Sequence, residues 1–252
     1  MPLFSFLSKK SEPARLPFKT DIHCHIVPGV DDGSPDVETS VELVRRMGEW
    51  GIERIIATPH ITEATFENTP EILDPALDEL LDGLRAKGVN IPVSRASENR
   101  IDDFFREQFA AGQITPYPNN YILVENSFIQ EPWDLDQFLF DLKIKGYHPI
   151  LAHPERFHYY FDEHPERYDA IHRAGTYFQI NVLSLAGAYS KQEKRAAEKL
   201  IEKGYVDFLG TDLHNFRHAD AIDAYLRTKD ARRHFAALEN RIMNDKVFQT
   251  NP

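Results

Sequence analysis

The chain has 252 residues, of which 42% are hydrophobic and 12% aromatic, which is enough for one sizeable core. A formal net charge of −11 argues against a general nucleic-acid binder, because phosphate contacts need clustered lysine and arginine. The single cysteine excludes an internal disulfide, and no apolar run approaches the roughly 20 residues of a membrane helix. We expect a cytoplasmic protein without stable membrane insertion. We also expect one domain over residues 1–252, with a flexible extension at 1–17.

Seven short apolar runs are typical of parallel strands buried on both faces. They cover residues 18–23, 53–58, 91–96, 120–125, 148–153, 177–181 and 206–211. Helical patterns fill the intervals at residues 36–50, 70–88, 101–112, 133–146, 165–175 and 191–204. Within the second of these, Pro75 is expected to break the helix or start a turn. The alternation predicts an α/β fold with a parallel sheet, either a barrel or an open doubly wound sheet.

Histidine and carboxylate residues follow six of the seven predicted strands, where a barrel gathers its active site. In chain order they are His23, His25, Asp32, His60, Glu98, Glu125, His153, Asp212 and His214. An aspartate after a strand is usually the N-cap of the next helix, and both Asp31 and Asp32 fit that alternative. Buried carboxylates are costly unless they are paired or bind metal, and nine candidates are too many for one ion. The pattern therefore predicts two or three metal ions.

The residue types at this site narrow its chemistry. Imidazole nitrogens with carboxylate oxygens suit zinc, manganese or iron, and such a cluster can activate water and clamp a phosphoryl group. A thiol phosphatase of the common kind needs an arginine six positions after its cysteine, but Val30 stands there after Cys24. On an alternating strand Cys24 should point away from His23 and His25. We interpret it as a small buried filler.

Five motifs occur in an order and spacing that resemble the polymerase-and-histidinol-phosphatase (PHP) superfamily, in particular its capsule-associated, manganese-dependent protein tyrosine phosphatase branch. They are "DIHCHIVPGVDDG", "ATPH", "YILVE", "AHPER" and "TDLHN". The resemblance runs from about residue 19 to residue 217, although "ASENR" stands where the family has a "GQE" form. It implies an α/β fold of the PHP type, a distorted seven-stranded (β/α) barrel with three metal ions.

The resemblance also implies a role for each ligand. One ion would be held by His23, His25, Glu98 and Asp212, a second by Glu98, Glu125 and His153, and a third by Asp32, His60 and His214. Arg156 in "HPER" and Arg217 after the last motif would bind phosphate.

The resulting hypothesis is a protein-tyrosine phosphatase in which a metal-activated hydroxide attacks phosphorus directly. Manganese is the expected metal, with iron or zinc as alternatives. The expected substrate is the tail of a bacterial tyrosine autokinase that controls capsular or exopolysaccharide synthesis. Two alternatives stay open: a phosphatase of a small phosphomonoester such as histidinol phosphate, and a metal-stabilised scaffold without turnover.

Three further points are left open by the sequence. The aromatics Phe157, Tyr159 and Tyr160 either form a wall around a phosphotyrosine ring or pack locally. Residues 61–70 form either a lid over the site or an ordinary loop. An oligomer is possible, and its state is not predicted.

Overall fold

The computed structural model describes residues 12–161, 164 and 166–247. Within these residues the strands are β1 (Thr20–Asp21), β2 (Arg54–Ala57), β3 (His60–Ile61), β4 (Val93–Arg95), β5 (Glu98–Arg100), β6 (Tyr121–Glu125), β7 (His148–Ala152), β8 (Tyr177–Asn181) and β9 (Phe208–Gly210). The helices are α1 (Val37–Glu49), α2 (Pro70–Ala86), α3 (Asp103–Ala111), α4 (Leu135–Ile144), α5 (Glu166–Arg173), α6 (Val182–Ala186), α7 (Lys191–Lys203), α8 (Phe216–Leu226), α9 (Lys229–Leu238) and α10 (Asn244–Val247). None of these helices combines the length and apolar character needed to cross a bilayer.

The strands form a parallel α/β architecture, as predicted. A three-stranded sheet has the order β1-β2-β4, and a curled six-stranded sheet has the order β3-β5-β6-β7-β8-β9. Ala57 pairs with Arg95 in the first sheet and His60 pairs with Glu98 in the second, so the register is the same on both sides of the break. Pro59 lies at this break and has no N–H for the ladder, which interrupts β2 before β3.

Backbone hydrogen bonds also connect the first and last strands beyond their assigned ends. The N–H of Asp212 donates to the carbonyl of His23 at 2.8 Å, and the N–H of His25 donates to that of Leu213 at 2.9 Å. At the opposite ends of β1 and β9, the side-chain amide of Asn244 donates to the carbonyls of Thr20 and Leu209. The carboxyl end of β1 is therefore fixed beside the carboxyl end of β9.

Two apolar clusters hold the sheets and helices together. The larger lies between the strands and the surrounding helices. The smaller gathers inward-facing side chains from both sheets, namely Ile22, Ile56, Ala96, Tyr117, Leu123, Ile150, Ala152 and Phe208. Because strands of both sheets contribute to this second cluster, the two sheets enclose a common interior below the strand ends.

The helix α2 corrects one sequence expectation. Pro75 lies inside it without ending it, so the prediction of a break is wrong. Proline early in a helix removes a single backbone bond, and burial of Leu80 and Leu84 against the core offsets that loss. Gly83 permits the close approach of α1, since an added Cβ would lie 2.4 Å from Val37.

The predicted extension over residues 1–17 is described only in part, because residues 1–11 lie outside the described residues. In the remainder, the N–H of Ala14 donates to the carbonyl of Leu226, and that of Leu16 donates to the carbonyl of Trp50. The Leu16 side chain is buried. Residues 14–16 therefore contact the domain.

Candidate metal centre

All nine residues expected as metal ligands lie close together: Glu125, His153 and Asp212 end or follow β6, β7 and β9, and His60 and Glu98 begin β3 and β5. Their donor atoms form four overlapping groups, within each of which the atoms lie within 4.8 Å of one another. The groups are His25, Asp32, His60 and His214; His23, Glu98 and His153; His23, His25 and Asp212; and His60, Glu98 and Glu125. The overlap makes one continuous cluster.

Glu98 lies at the middle of this cluster and is fully buried. Its Oε1 is 2.9 Å from His153 Nε2 and 3.3 Å from His23 Nε2. Its Oε2 is 3.0 Å from His60 Nδ1 and 3.4 Å from His25 Nε2. One carboxylate thus approaches four imidazoles, an arrangement suited to a ligand shared between ions.

Asp212 is a second shared carboxylate. Its Oδ1 lies 3.5 Å from Nε2 of both His23 and His25 and 3.4 Å from His214 Nδ1. Its Oδ2 accepts hydrogen bonds from Asn181 at 2.6 Å, Tyr189 at 2.9 Å and Arg156 at 3.0 Å. The protein therefore fixes one oxygen and directs the other into the cluster.

Neighbouring side chains orient the two histidines of the first motif. His23 Nδ1 lies 2.7 Å from Gln179 Oε1, and His25 Nδ1 lies 2.9 Å from Asp31 Oδ2. With Nδ1 engaged in each ring, Nε2 faces the cluster, as in metal-binding histidines oriented by a carboxylate or carbonyl. Asp31 also accepts from the N–H of Gly33, so it shapes the turn as well as orienting His25.

Several buried atoms here lack hydrogen-bond partners, which provides a test of whether cations fit. These atoms are His23 Nε2, His25 Nε2, His60 Nδ1 and Glu98 Oε2. An unsatisfied buried polar atom costs about 1–3 kcal/mol, more when charged. Nitrogen and oxygen donors that converge without hydrogen bonding fit divalent ions with mixed imidazole and carboxylate preference.

The protonation equilibria show how strongly these groups interact. Burial opposes charge on His23, but Glu98 and Asp212 outweigh it and raise the pKa of His23 to about 9. Burial, followed by the charge of Glu98, raises the pKa of Glu125 to about 8. Burial lowers the pKa of His60 to about 4 and has the same effect on His153. A cation at Glu125 would therefore compete with a proton.

Two of the candidate ligands have left-handed backbone conformations, with φ of 31° at His153 and 50° at Asp212. Such conformations cost about 1–3 kcal/mol and persist where surrounding structure fixes them. Here the N–H of Arg156 donates to the carbonyl of His153, and the strand-closing bond from Asp212 reaches His23. The backbone strain therefore lies just after the carboxyl ends of β7 and β9.

An open cleft of about 450 Å³ lies over the cluster. Arg156 is one wall of it, with its guanidinium 4.2 Å from the Tyr189 ring centroid and 4.8 Å from that of Phe128. Burial opposes its charge, but Tyr189 and Asp212 hold the pKa of Arg156 above its usual range. Arg100 also lines the cleft and forms an ion pair of 2.8 Å with Glu125. The cleft lining thus contains two guanidinium groups, each paired with a carboxylate of the nine-residue cluster.

Some residues that the sequence singled out do not reach the cleft. Arg217 is exposed on α8 and is not among the lining residues that the structure describes. Phe157 and Tyr160 are buried in the core, and the hydroxyl of Tyr159 donates to the carbonyl of Ser127. Arg100 was not among the residues predicted from the sequence. It lies two positions after Glu98 on one strand, so both side chains point to the same face, and this spacing was the signal that could have identified it.

The segment 61–70 is an ordered hairpin at the rim of the cleft. Thr62 and Phe66 exchange backbone hydrogen bonds of 2.9 Å, and Ala64 at the tip has φ of 60°. Asn68 anchors the base by donating to the carbonyls of Val30 and His60. The Phe66 ring stacks on His60 with centroids 5.7 Å apart, and Phe66 and Phe128 both line the cleft.

Comparison with known proteins gives consistent matches. The family model described as capsular polysaccharide synthesis, CpsB/CapC, matches residues 19–244. The chain is 35% identical to tyrosine-protein phosphatase YwqE of Bacillus subtilis over 198 residues, 78% of each chain. It is 26% identical to the putative tyrosine-protein phosphatase CapC of Staphylococcus aureus over 233 residues, covering 92% of this chain and 91% of the relative.

A solved structure extends the match to three dimensions. It comes from a description of YwqE from Bacillus subtilis and CpsB from Streptococcus pneumoniae as unique metal-dependent tyrosine phosphatases. The TM-score is 0.74 at 31% sequence identity, and the alignment covers 92% of this chain and 98% of that one.

Proposed function

Because this chain belongs to the capsular polysaccharide synthesis family CpsB/CapC, we propose that it is a metal-dependent tyrosine-protein phosphatase. The observation that carries the proposal is the convergence of nine imidazole and carboxylate side chains beneath a cleft that also contains Arg156. Binding and transfer of a phosphoryl group require positive charge around its oxygens. Ions held by the cluster would supply this charge at the floor of the cleft, and the Arg156 guanidinium would supply it at the side.

We assign the nine ligands to two or three divalent ions, manganese first and iron or zinc as alternatives. His23, His25, Glu98 and Asp212 would hold one, Glu98, Glu125 and His153 a second, and Asp32, His60 and His214 a third. Bound ions would polarise phosphoryl oxygens and lower the pKa of coordinated water. The register shared by the two sheets and the bonds joining β1 to β9 support a seven-stranded barrel of the PHP type.

The cleft walls define what the protein itself contributes. The guanidinium group of Arg156 lies against the rings of Phe128 and Tyr189 and donates a hydrogen bond to Asp212. These contacts fix its orientation before a substrate binds. Arg100 would provide a second positive charge in the role expected of Arg217. Phe66 and Phe128 would exclude water from the sides of a substrate ring.

Replacing Arg156 with alanine is expected to lower kcat/KM for a phosphotyrosine peptide by roughly 10²-fold, the usual effect of removing one charge-stabilising donor. Arg156→Lys should lose less activity than Arg156→Ala, because lysine keeps the positive charge but cannot donate two parallel hydrogen bonds to a phosphoryl group. Steady-state kinetics on both variants, with thermal unfolding as the check on folding, would measure this. An unchanged rate constant in a folded Arg156→Ala protein would remove the proposed role.

The substrate class is tested by side-by-side kinetics of the metal-loaded protein on a phosphotyrosine peptide and on histidinol phosphate. We expect kcat/KM to favour the peptide by at least about tenfold, since the open cleft has aromatic side chains at its walls. Efficient turnover of histidinol phosphate alone would support the small-substrate alternative. Tight peptide binding without phosphate release would support the scaffold.

The physiological substrate that we propose is the tyrosine-bearing tail of a bacterial tyrosine kinase acting in capsular or exopolysaccharide synthesis, in the cytoplasm. The matched family supports this setting by its association with capsular polysaccharide synthesis. The openness of the cleft to solvent supports a substrate carried on a polypeptide. Oligomer formation remains compatible with this assignment.

A further inference from the structure

Two large apolar side chains are strongly exposed beside the cleft. Ile129 is 88% exposed and Trp133 is 96% exposed, the highest fractions among large hydrophobic residues in the described part of the chain. Both lie in the segment that connects β6 to α4. An exposed tryptophan is a candidate binding contact, since tryptophan is enriched among the residues that dominate binding energy at interfaces.

These side chains border a groove of about 460 Å³, which we call the Trp133 groove. Its lining includes Ile101, Asp102, Asp103, Ile129, Pro132 and Trp133. The lining of the groove therefore combines apolar and acidic side chains.

The Trp133 groove shares its walls with the phosphate-binding cleft. Arg100 and Phe128 line the cleft, and the residues that follow them, Ile101 and Ile129, line the groove. The end of β5 and the segment after β6 therefore each contribute adjacent residues, with Cα atoms about 3.8 Å apart, to the linings of the cleft and the groove. A chain whose phosphotyrosine enters the cleft would bring its neighbouring residues to the groove.

The charge of the groove indicates what those neighbours should be. Arg106 lines it too, but its guanidinium donates to Asp134 at 2.7 Å, so that pair is internally neutralised. Asp102 caps α3, because its carboxylate accepts from the N–H groups of Phe105 and Glu63, and Asp103 beside it completes an acidic edge with an exposed carboxylate. A lysine or arginine side chain complements this edge.

We propose that the Trp133 groove binds the polypeptide flanking the phosphotyrosine, with an apolar residue against Ile129 and Trp133 and a lysine or arginine beside Asp102 and Asp103. The inference rests on the proposed function and specifies its substrate class. Peptides with apolar and basic neighbours are preferred, and small phosphomonoesters cannot use the groove. A second copy of the chain is the other candidate occupant, but the groove's continuity with the cleft favours the substrate.

Three substrates test the proposal: p-nitrophenyl phosphate, a peptide with leucine and lysine on both sides of phosphotyrosine, and the same peptide with glycine and glutamate instead. The unmodified protein should favour the leucine–lysine peptide by about tenfold in kcat/KM, a typical effect of one well-packed contact with charge complementarity. Trp133→Ala and Asp103→Lys should each reduce that preference to about twofold or less.

The control is Ile144→Ala, which removes another exposed apolar side chain from the far end of α4. It should keep the preference of the unmodified protein. If Trp133→Ala retains the full preference, or lowers turnover of p-nitrophenyl phosphate as much as that of the peptide, the proposal is wrong. A change of oligomeric state in Trp133→Ala, with the preference intact, would assign the groove to a second copy. Failure of the unmodified protein to hydrolyse any phosphotyrosine substrate would instead refute the proposed function.

Discussion

Replacing Asp212 with asparagine is expected to reduce phosphatase activity by about 10³-fold while the protein remains folded. One oxygen of Asp212 faces three histidines and the other accepts from Arg156, so the variant alters both the proposed ion site and the arginine proposed to bind phosphate. Loss of a single preorganised charge-stabilising group already costs 10²–10³-fold. Asparagine is preferable to alanine because it tolerates the left-handed backbone at this position.

The matched control is Cys24→Ala, which changes a residue between two candidate ligands. Cys24 is fully buried, and burial raises the pKa of its thiol well above the usual value. We expect this variant to keep most of its activity at a modest cost in stability. Activity should be compared at equal metal content, with circular dichroism to confirm folding. If Cys24→Ala were inactive although folded and metal-replete, or if Asp212→Asn remained active, the assignment of the metal centre would fail.

Chelation is expected to abolish activity and to lower the unfolding temperature. An ion present at a thousandfold excess over its Kd stabilises a fold by about 4 kcal/mol. For a chain of this size each kcal/mol corresponds to about 2–4 °C, so loss of one such ion should lower the Tm by about 10 °C. The buried carboxylates of the cluster would also lose their cationic partners.

Activity and calorimetry after removal of metal, and after return of Mn²⁺, Fe²⁺ or Zn²⁺ separately, would measure both effects. The ion that restores both the activity and the unfolding temperature is the metal that the site prefers. Asp212→Asn provides the comparison, because its smaller ligand set should give a smaller shift in Tm on chelation. A chelated protein with unchanged activity and Tm would contradict a metal-dependent mechanism.

The alternation of short apolar runs with helical patterns was sufficient to predict the α/β class and the parallel strands, because parallel strands buried on both faces are nearly continuous apolar runs. It was insufficient after residue 58, where the predicted strand ends but the structure adds β3 beyond Pro59, since strand pairing depends on partners distant in the chain. It was misleading at Pro75, because the packing of α2 outweighs a local propensity. The helices after residue 215 were not predicted at all.

The site was predictable to the extent that its residues follow strands. His60 and Glu98 are separated by 38 positions in sequence, yet their pairing is implied by parallel neighbours of one sheet. Phe128 and Tyr189 were not predictable, because they reach the cleft from loops whose course no local pattern encodes. Likewise, Gln179, which orients His23, lies 156 residues away from it in the sequence, so this contact can be recognised only in the folded structure.

The burial of Cys24 determines which classes of inhibitor can act on this enzyme. It is the only cysteine in the chain, it has no exposed surface, and its thiol resists ionisation. Electrophilic drugs that alkylate or oxidise a catalytic thiolate therefore lack their target here, because such reagents need an accessible, low-pKa sulfur. Effective inhibitors should instead be anions that engage Arg156 and carry a metal-chelating group, and such compounds would discriminate this enzyme from thiol-dependent tyrosine phosphatases.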